Sequence, residues 1–339
     1  MKAYRLHAPK GWENLKKEEC QEPSVTGNQI KINIKAVSLN FRDTAVTRGG
    51  FAYPGEKLPM IPFSDGAGVI TEVGPDVRKF KVGDRVSPNF FPDWHGGNFS
   101  AQKVFRSLGG STDGVLAEYV VFSEDSVAKV PDFFSFEEAA SFPCAGVTAW
   151  HSLVTKGGIK AGETVLVQGT GGVSVFGLQI AKLFGAKVII TSSSNEKLEE
   201  AKALGADYLI NYKETPDWGK KALELTNGAG VDYILEVGGK DTLPQSLEAL
   251  KPGGSIYIIG AVGGGAPGQA NELFLSPLNM VNLQGIYVGS VDMLEEIFTA
   301  FAPNQVKPAI GKTFEFDQVH QALEFMSNGA HFGKIVVTI

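Results

Sequence analysis

The segment Thr164-Val165-Leu166-Val167-Gln168-Gly169-Thr170-Gly171-Gly172-Val173-Ser174 constrains the fold more than any other part of this chain. An apolar run ends in a cluster of glycines. Helix-compatible residues follow from Val173 to Phe184, and then a second apolar run, Lys187-Val188-Ile189-Ile190-Thr191. That order predicts strand, tight turn, helix, strand, which is half of a dinucleotide-binding unit. The glycines let the backbone approach a pyrophosphate, whose charge then meets the free N–H groups of the helix N-terminus. A glycine pattern alone is a weak signal, and its flanking strand and helix give it weight. The competing reading is an ordinary strand–turn–helix with no ligand.

The turn departs from Gly-x-Gly-x-x-Gly at its third glycine, where this chain has Ser174. That position serves helix–strand packing, so a small serine is a mild change. A second departure concerns the ribose. An acid at the end of the second strand would bind a free 2′-hydroxyl. The chain reads Thr191-Ser192-Ser193-Ser194-Asn195-Glu196-Lys197 there. Three hydroxyls and Lys197 suit a 2′-phosphate, which a carboxylate would repel, so the expected cofactor is NADP(H). Ser194 or Asn195 also suits the N-cap of a helix starting near Glu196, and the two roles are compatible.

A length of 339 residues suggests about two domains, and 43% hydrophobic residues suit a globular protein with a sizeable core. No apolar run approaches a membrane span, and Met1-Lys2-Ala3-Tyr4-Arg5-Leu6 lacks a signal-peptide core. The net charge of -6 and the absence of a Lys/Arg block argue against a nucleic-acid surface. Two cysteines, Cys20 and Cys144, argue against a disulfide framework and fit a cytoplasmic location. They also exclude a four-cysteine structural zinc site.

The first third reads mostly as strands. Ile30, Ile32 and Ile34 alternate with Lys31, Asn33 and Lys35, which suits a half-buried strand. Gly66–Gly74, Lys81–Val86 and Gly114–Val121 read as further strands and turns, implying a small barrel-like β unit. Phe90 to Asp113 is long and rich in Gly, Ser and Asn, and reads as a surface loop. After Ser135 the pattern becomes α/β. Ser135 and Glu138 form a candidate capping box, and strands near Thr164, Lys187, Asp207, Val231, Ser255 and Val281–Val288 alternate with helices. This predicts a doubly wound parallel sheet. Phe332–Ile339 reads as a final strand returning to the first domain.

Several motifs in this order resemble the medium-chain dehydrogenase/reductases, in particular the zinc-independent quinone oxidoreductase branch. They are Val37-Ser38-Leu39-Asn40-Phe41-Arg42-Asp43, Ile61-Pro62-Phe63-Ser64-Asp65-Gly66-Ala67-Gly68, Lys81–Val86, Gly146-Val147-Thr148-Ala149-Trp150, the glycine turn, Leu250-Lys251-Pro252-Gly253-Gly254 and Gly333-Lys334-Ile335-Val336. The resemblance covers nearly the whole chain. It implies a GroES-like β-barrel catalytic domain over residues 1–145 and 290–339, and a Rossmann domain over 146–289. Strands near Val281–Val288 pair across a dimer axis in such proteins, so a homodimer is expected.

In zinc-dependent alcohol dehydrogenases of this family, three metal-ligand positions correspond to Asn40, Ser64 and Cys144. One thiol among the three does not make a catalytic zinc site, and the 90–113 region has no structural-zinc cysteines. No metal is therefore expected; Asp43 and Asp65 beside these positions leave only a minor oxygen-ligand alternative. Without zinc, the accessible chemistry is hydride donation from NADPH to quinones or α,β-unsaturated carbonyls, helped by orientation and hydrogen-bond donors. Asn40 and Thr148 are candidates on both the catalytic and the cofactor side. Arg42 is a candidate to stabilise an enolate, or else to pair with Asp43 or Asp65. Tyr53 is the candidate proton donor, offset by two residues from Phe51 at the best-matching position, with a packed aromatic at a cleft rim as the alternative. The resemblance further implies cofactor contacts from Gly169, Thr170, Gly171, Gly172, Val173, Ser192, Ser193, Ser194, Lys197, Val237, Gly238, Gly260, Ala261, Val262, Val288 and Lys334. Two other functions stay open: an NADP-dependent alcohol or aldehyde oxidoreductase, and a non-catalytic NADPH-binding protein.

Overall fold

The computed structural model describes residues 1–50, 57–260 and 280–339. They divide into two compact units, Met1–Val147 with Val288–Ile339, and Thr148–Tyr287. In chain order the first unit opens with β1 (Lys2–Leu6), β2 (Leu15–Glu19), β3 (Gln29–Leu39), α1 (Phe41–Thr47), β4 (Asp65–Val73), β5 (Arg85–Pro88), β6 (Tyr119–Ser123), β7 (Val127–Lys129) and α2 (Phe136–Ala140). Helical turns then run from Phe142 to Lys156, with α3 (Val147–Trp150) between two wide π turns. The second unit holds β8 (Thr164–Gln168), α4 (Gly172–Leu183), β9 (Lys187–Ser192), α5 (Asn195–Ala203), β10 (Tyr208–Asn211), α6 (Trp218–Leu225), β11 (Val231–Glu236), α7 (Leu243–Ala249), β12 (Leu250–Ile258) and β13 (Asn282–Gly285). The chain closes with α8 (Val291–Phe301), β14 (Ile310–Glu315), α9 (Val319–Ser327) and β15 (Lys334–Thr338).

In the first unit, β14, β15, β3, β4, β5 and β7 lie side by side in that order, and β6 also pairs with β3. The alternation in β3 has the expected result: Ile30, Ile32 and Ile34 are fully buried while Lys31, Asn33 and Lys35 are half-buried. The closing strand β15 runs antiparallel to β3, with Ile335 opposite Leu39. That pairing carries Lys334 to the end of β3, next to Asn40. Ser135 caps α2 by accepting from Glu138 N at 3.1 Å, and Glu138 returns a bond to Ser135 N at 2.8 Å.

The second unit is a parallel sheet in the order β10-β9-β8-β11-β12-β13. Numbered within the unit this is 3-2-1-4-5-6, the doubly wound order whose direction of travel reverses between β8 and β11. Leu166, Ile189, Ile210, Ile234 and Ile256 put the sheet's apolar side chains into one core. Ligands of such sheets bind beyond the carboxyl ends of the strands at that reversal. Gln168 ends β8 and Glu236 ends β11, so these two residues mark the place.

Two expectations are corrected. Residues 90–113 are not a plain surface loop: Phe90, Phe91, Trp94 and Leu108 are buried, and Phe90 meets Phe91 edge-on at 4.6 Å between ring centroids. Aromatic anchors outweigh a loop-like composition there. The Gly114–Val121 strand joins β3 only from Tyr119, because the N–H groups of Gly114, Val115 and Leu116 bond instead to Ile61, Phe63 and Pro62. Thr148 is the second residue of α3, in a helical run that begins at Phe142. Among the described residues no helix is long and apolar enough to cross a membrane.

Candidate functional site

In the nucleotide-binding unit, Gly169 has φ +72°, a conformation that disfavours side chains, and a Cβ at Gly169 or Gly171 would meet nothing within 4 Å. The turn is therefore an open cradle rather than a packed corner. The first intrahelical bond of α4 is Val175 N to Gly171 O at 3.0 Å, so the N–H groups of Gly172, Val173 and Ser174 precede it. Backbone donors at a helix N-terminus facing open space fit a pyrophosphate. Ser174 Oγ donates to Gln168 O at 2.6 Å and so ties the helix start to β8. The close helix–strand contact lies one turn further on, at Gly177, where a Cβ would stand 2.5 Å from Leu235 Cδ1.

At the end of β9, Ser192 is buried and its Oγ accepts from Ser194 N at 3.3 Å. Ser194 caps α5, accepting from Lys197 N at 3.4 Å. Each hydroxyl keeps its own O–H to donate, so capping leaves phosphate recognition possible. The Lys197 ammonium is partly buried, which lowers its pKa. Sequence reasoning missed Tyr212. Asn211 is in register with Ser192, and Tyr212 N donates to Ser192 O at 3.0 Å, which sets a half-exposed tyrosine beside the serines.

The larger omission is at the sheet reversal. Glu236 is buried, and its two oxygens accept from Gln168 Nε2 at 2.7 Å, Ser246 Oγ at 2.6 Å, Gly238 N and Gly239 N at 2.9 Å each, and Thr242 Oγ1. Gln168 Oε1 in turn accepts from Val237 N at 3.2 Å and Gly238 N at 3.3 Å. The pair holds the turn carrying Val237 and Gly238. Gly238 has no room for a side chain, because a Cβ would lie 2.3 Å from Thr242 Oγ1. An acid ending an apolar strand beside a Val-Gly-Gly turn was the available signal.

In the first unit, the ends of β3, β4 and β15 bring together Asn40, Ser64, Asp65 and Lys334, with Asp43 and Cys144 alongside. Lys334 is 3% exposed; its Nζ donates to Leu39 O at 2.8 Å and Asn40 Oδ1 at 2.6 Å and stands 3.9 Å from Asp65 Oδ2. Asn40 Nδ2 faces Ser64 Oγ at 3.5 Å. Asp65 accepts from Ser64 Oγ at 2.6 Å and Cys144 N at 3.0 Å. Asp43 caps α1 by accepting from Asn40 N at 2.8 Å. Burial pushes the Asp43 carboxyl up to about 6, against the downward pull of Arg42 and of the Asn40 N–H. Burial raises Asp65 too, opposed by Lys334 and by its hydrogen bonds from Ser64 and Asn40. The Cys144 thiol is pushed far up, first by burial and then by the charge of Asp65, so it stays protonated.

Of the two roles open to Arg42, pairing with Asp43 is the one its contacts match. Its guanidinium donates to Leu108 O at 2.9 Å and Gly109 O at 3.1 Å, pairs with Asp43 at 3.3 Å and lies over the Phe90 ring. It braces the 90–113 loop. Lys334, expected at the cofactor, bonds inward to Asn40 and Leu39. Thr148 is buried, with its carbonyl accepting from Ser152 Oγ at 2.8 Å. Gly260 follows β12, and Val288 is buried at φ +48°, strained for a β-branched residue. Tyr53, Ala261 and Val262 lie outside the described residues.

Comparison with known proteins agrees with this arrangement. The model "Alcohol dehydrogenase GroES-like domain" matches residues 26–132 and "Zinc-binding dehydrogenase" matches 172–303. A zinc-type alcohol dehydrogenase-like protein of Schizosaccharomyces pombe is 42% identical, with 97% of this chain and 96% of that protein covered. The chain belongs to the medium-chain dehydrogenase/reductase superfamily. It has the GroES-like and Rossmann-type parts of that fold, and it is an oxidoreductase of this type. Two solved structures bracket the chemistry. One, described as an NAD-dependent alcohol dehydrogenase, is 34% identical with a TM-score of 0.91 and full coverage of both chains. The other, Escherichia coli quinone oxidoreductase complexed with NADPH, is 26% identical with a TM-score of 0.84 and full coverage of both.

The names of several relatives imply zinc, and the residues here do not fit it. At the three positions corresponding to ligands in zinc-dependent members, this dehydrogenase/reductase offers an amide, a hydroxyl and a single thiol. An ammonium already bonds to the first of them. Catalytic zinc needs three protein ligands such as His, Cys or a carboxylate. Among the described residues no group of three His, Cys, Asp or Glu is placed to hold a metal.

Proposed function

We propose that this protein is an NADPH-dependent reductase of quinones or α,β-unsaturated carbonyls that works without zinc. The observation that carries this reading is the Asn40–Ser64–Asp65–Lys334 cluster at the positions where zinc-dependent members hold their metal. No Lewis acid is built there to activate an alcohol, whereas an already conjugated acceptor needs only orientation and a donor to its oxygen.

When bound, a reduced nicotinamide supplies a hydride to the acceptor. The residues proposed to hold the dinucleotide are Gly169 to Val173 at the pyrophosphate, Ser192, Ser193, Ser194 and Lys197 at a 2′-phosphate, and Val237, Gly238 and Gly260 along the strand ends. Asn40 is proposed to donate Nδ2–H to the substrate oxygen as negative charge gathers there. Thr148 and Val288 are proposed cofactor contacts, and a proton from Tyr53 or from water completes the reduction. A homodimer is also proposed: among the described residues β13 pairs only with β12, and Leu283 on it is half-exposed.

A second reading, an NAD(P)-dependent alcohol or aldehyde oxidoreductase, is favoured by the names of the relatives with higher identity. The deciding experiment follows oxidation of NADPH and NADH with a panel of quinones, enones and aldehydes, alongside alcohol oxidation and zinc analysis. Turnover of quinones or enones by zinc-free protein supports the first reading. Alcohol turnover that depends on one zinc per chain supports the second.

A further inference from the structure

Lys334 can only donate hydrogen bonds, and Asn40 presents one accepting end and one donating end. An ammonium 2.6 Å from the Asn40 amide therefore requires Oδ1 on that side. The opposite end, Nδ2, then faces the acceptors Ser64 Oγ and Asp65. Lys334 itself is anchored by Leu39 O and balanced by Asp65, and neither Lys334 nor Asp65 is more than 3% exposed. The amide is thus clamped between a cation and an anion. A cation on the amide oxygen also draws electrons from nitrogen and strengthens its N–H groups as donors.

We propose that Lys334 is the positioning residue of this site, a built-in cation that fixes the direction of the Asn40 amide and polarises its Nδ2–H groups. It would supply in part, through Asn40, the positive charge that a metal supplies in zinc-dependent members. This is a different role from contact with the cofactor. The proposal that the strengthened N–H meets a substrate oxygen rests on the reductase reading above, but the clamp itself does not.

The test uses the full-length protein with Asn side chains labelled by nitrogen-15, and compares wild type, Lys334→Met and Lys334→Met/Asp65→Asn. The double variant removes both charges together, so that no lone buried carboxylate unfolds the protein. The Asn40 amide signals, assigned with Asn40→Ala, should shift upfield and exchange faster with water in both variants. Kinetically, kcat with a quinone should fall by roughly 10- to 100-fold, the scale for weakening one oxyanion donor. The NADPH Kd should change less than about 3-fold. Asn40→Ala added to Lys334→Met should cost little more, because two residues acting as one unit are not additive. Unmoved Asn40 signals would overturn the clamp. A large rise in NADPH Kd with kcat unchanged would overturn it as well and return Lys334 to cofactor binding. If wild type reduced no quinone or enone, the reductase reading would fail while the amide signals still decided the clamp.

Discussion

Gln168 and Glu236 end adjacent parallel strands and bond to each other at 2.7 Å, at the reversal of the nucleotide-binding sheet. Among the described residues, the other hydrogen bonds to the Glu236 carboxylate also come from donors: two backbone N–H groups and two hydroxyls. A carboxylate is the group that can accept all of them at once.

Glu236→Gln should therefore be damaging although it is nearly isosteric. The new NH2 must face backbone N–H groups or hydroxyls that already donate, leaving buried donors unpaired at about 1–3 kcal/mol. Because the disturbed turn carries Val237 and Gly238, the dinucleotide should bind at least about 10-fold more weakly, a loss of about 1.4 kcal/mol. Thermal melting and NADPH fluorescence titration measure the two effects. A lower melting temperature with unaltered NADPH affinity would limit Glu236 to a role in folding.

Much of this architecture was legible in the chain because it rests on local patterns. The glycine turn, the β3 alternation and the Ser135–Glu138 box each need only near neighbours. The Glu236 network and the Lys334 clamp were not legible, because they join residues 68 and 294 positions apart. Lys334 was expected at the cofactor by resemblance alone; its bond to Asn40 depends on the pairing of β15 with β3, which no local pattern announces. The pairing of Arg42 with Asp43 was among its expected roles and is found; its bonds to the carbonyls of Leu108 and Gly109 were hidden for a similar reason. Those carbonyls belong to a loop whose composition suggested exposure, while buried aromatics hold it in place.

Two glycines six residues apart, about 9 Å of helix rise, should separate binding from folding. Gly171 has an ordinary φ of -79° and open space around a Cβ, so Gly171→Val should leave the fold intact and fill the cradle. NADPH binding should fall by at least about 100-fold, roughly 2.7 kcal/mol. Gly177→Ala instead forces a methyl against Leu235 and Val167 in the sheet core. It should destabilise by about 1–3 kcal/mol, as overpacking does. Urea unfolding with parallel NADPH titrations distinguishes them, and equal NADPH affinity of Gly171→Val and wild type would remove the turn from the phosphate site.

Cofactor choice should turn on Ser192. Ser192→Asp puts a carboxylate where a 2′-phosphate is proposed and where a free 2′-hydroxyl would welcome one. Wild type should prefer NADPH over NADH by at least about 10-fold in kcat/KM, and the variant should reverse or erase that preference. Steady-state kinetics with both cofactors gives the answer. Equal use of the two by wild type would contradict the assignment of Ser192 to Lys197.

The donor set at Asn40, Ser64 and Cys144 sets the expected response to chelation. Purified protein should carry no stoichiometric zinc, and prolonged treatment with a chelator should leave its turnover unchanged, because an amide, a hydroxyl and a single thiol make a poor zinc site. Elemental analysis before and after dialysis checks this. One zinc per chain, lost in step with activity, would contradict it.

Asp43 gives stability a specific dependence on pH. Burial raises its native-state pKa to about 6, from 3.8. An acid whose pKa is higher when folded holds its proton more tightly in the native state. Its contribution is therefore greatest below about pH 4, declines as pH rises, and is gone above about pH 6. The change across that window amounts to about 3 kcal/mol for a shift of roughly two units. Asp43→Asn keeps an oxygen to accept from Asn40 N, but it no longer titrates. Relative to this variant, wild type should lose stability between pH 4 and 6.5 and run parallel to it above pH 7. Asp65 is raised by burial as well, and its charge adds to the rise of Asp43. Urea midpoints measured for the pair at several pH values test this directly. A difference that stayed constant from pH 4 to 7 would mean that Asp43 keeps an ordinary carboxylate pKa, its charge fully compensated by Arg42 and the Asn40 N–H.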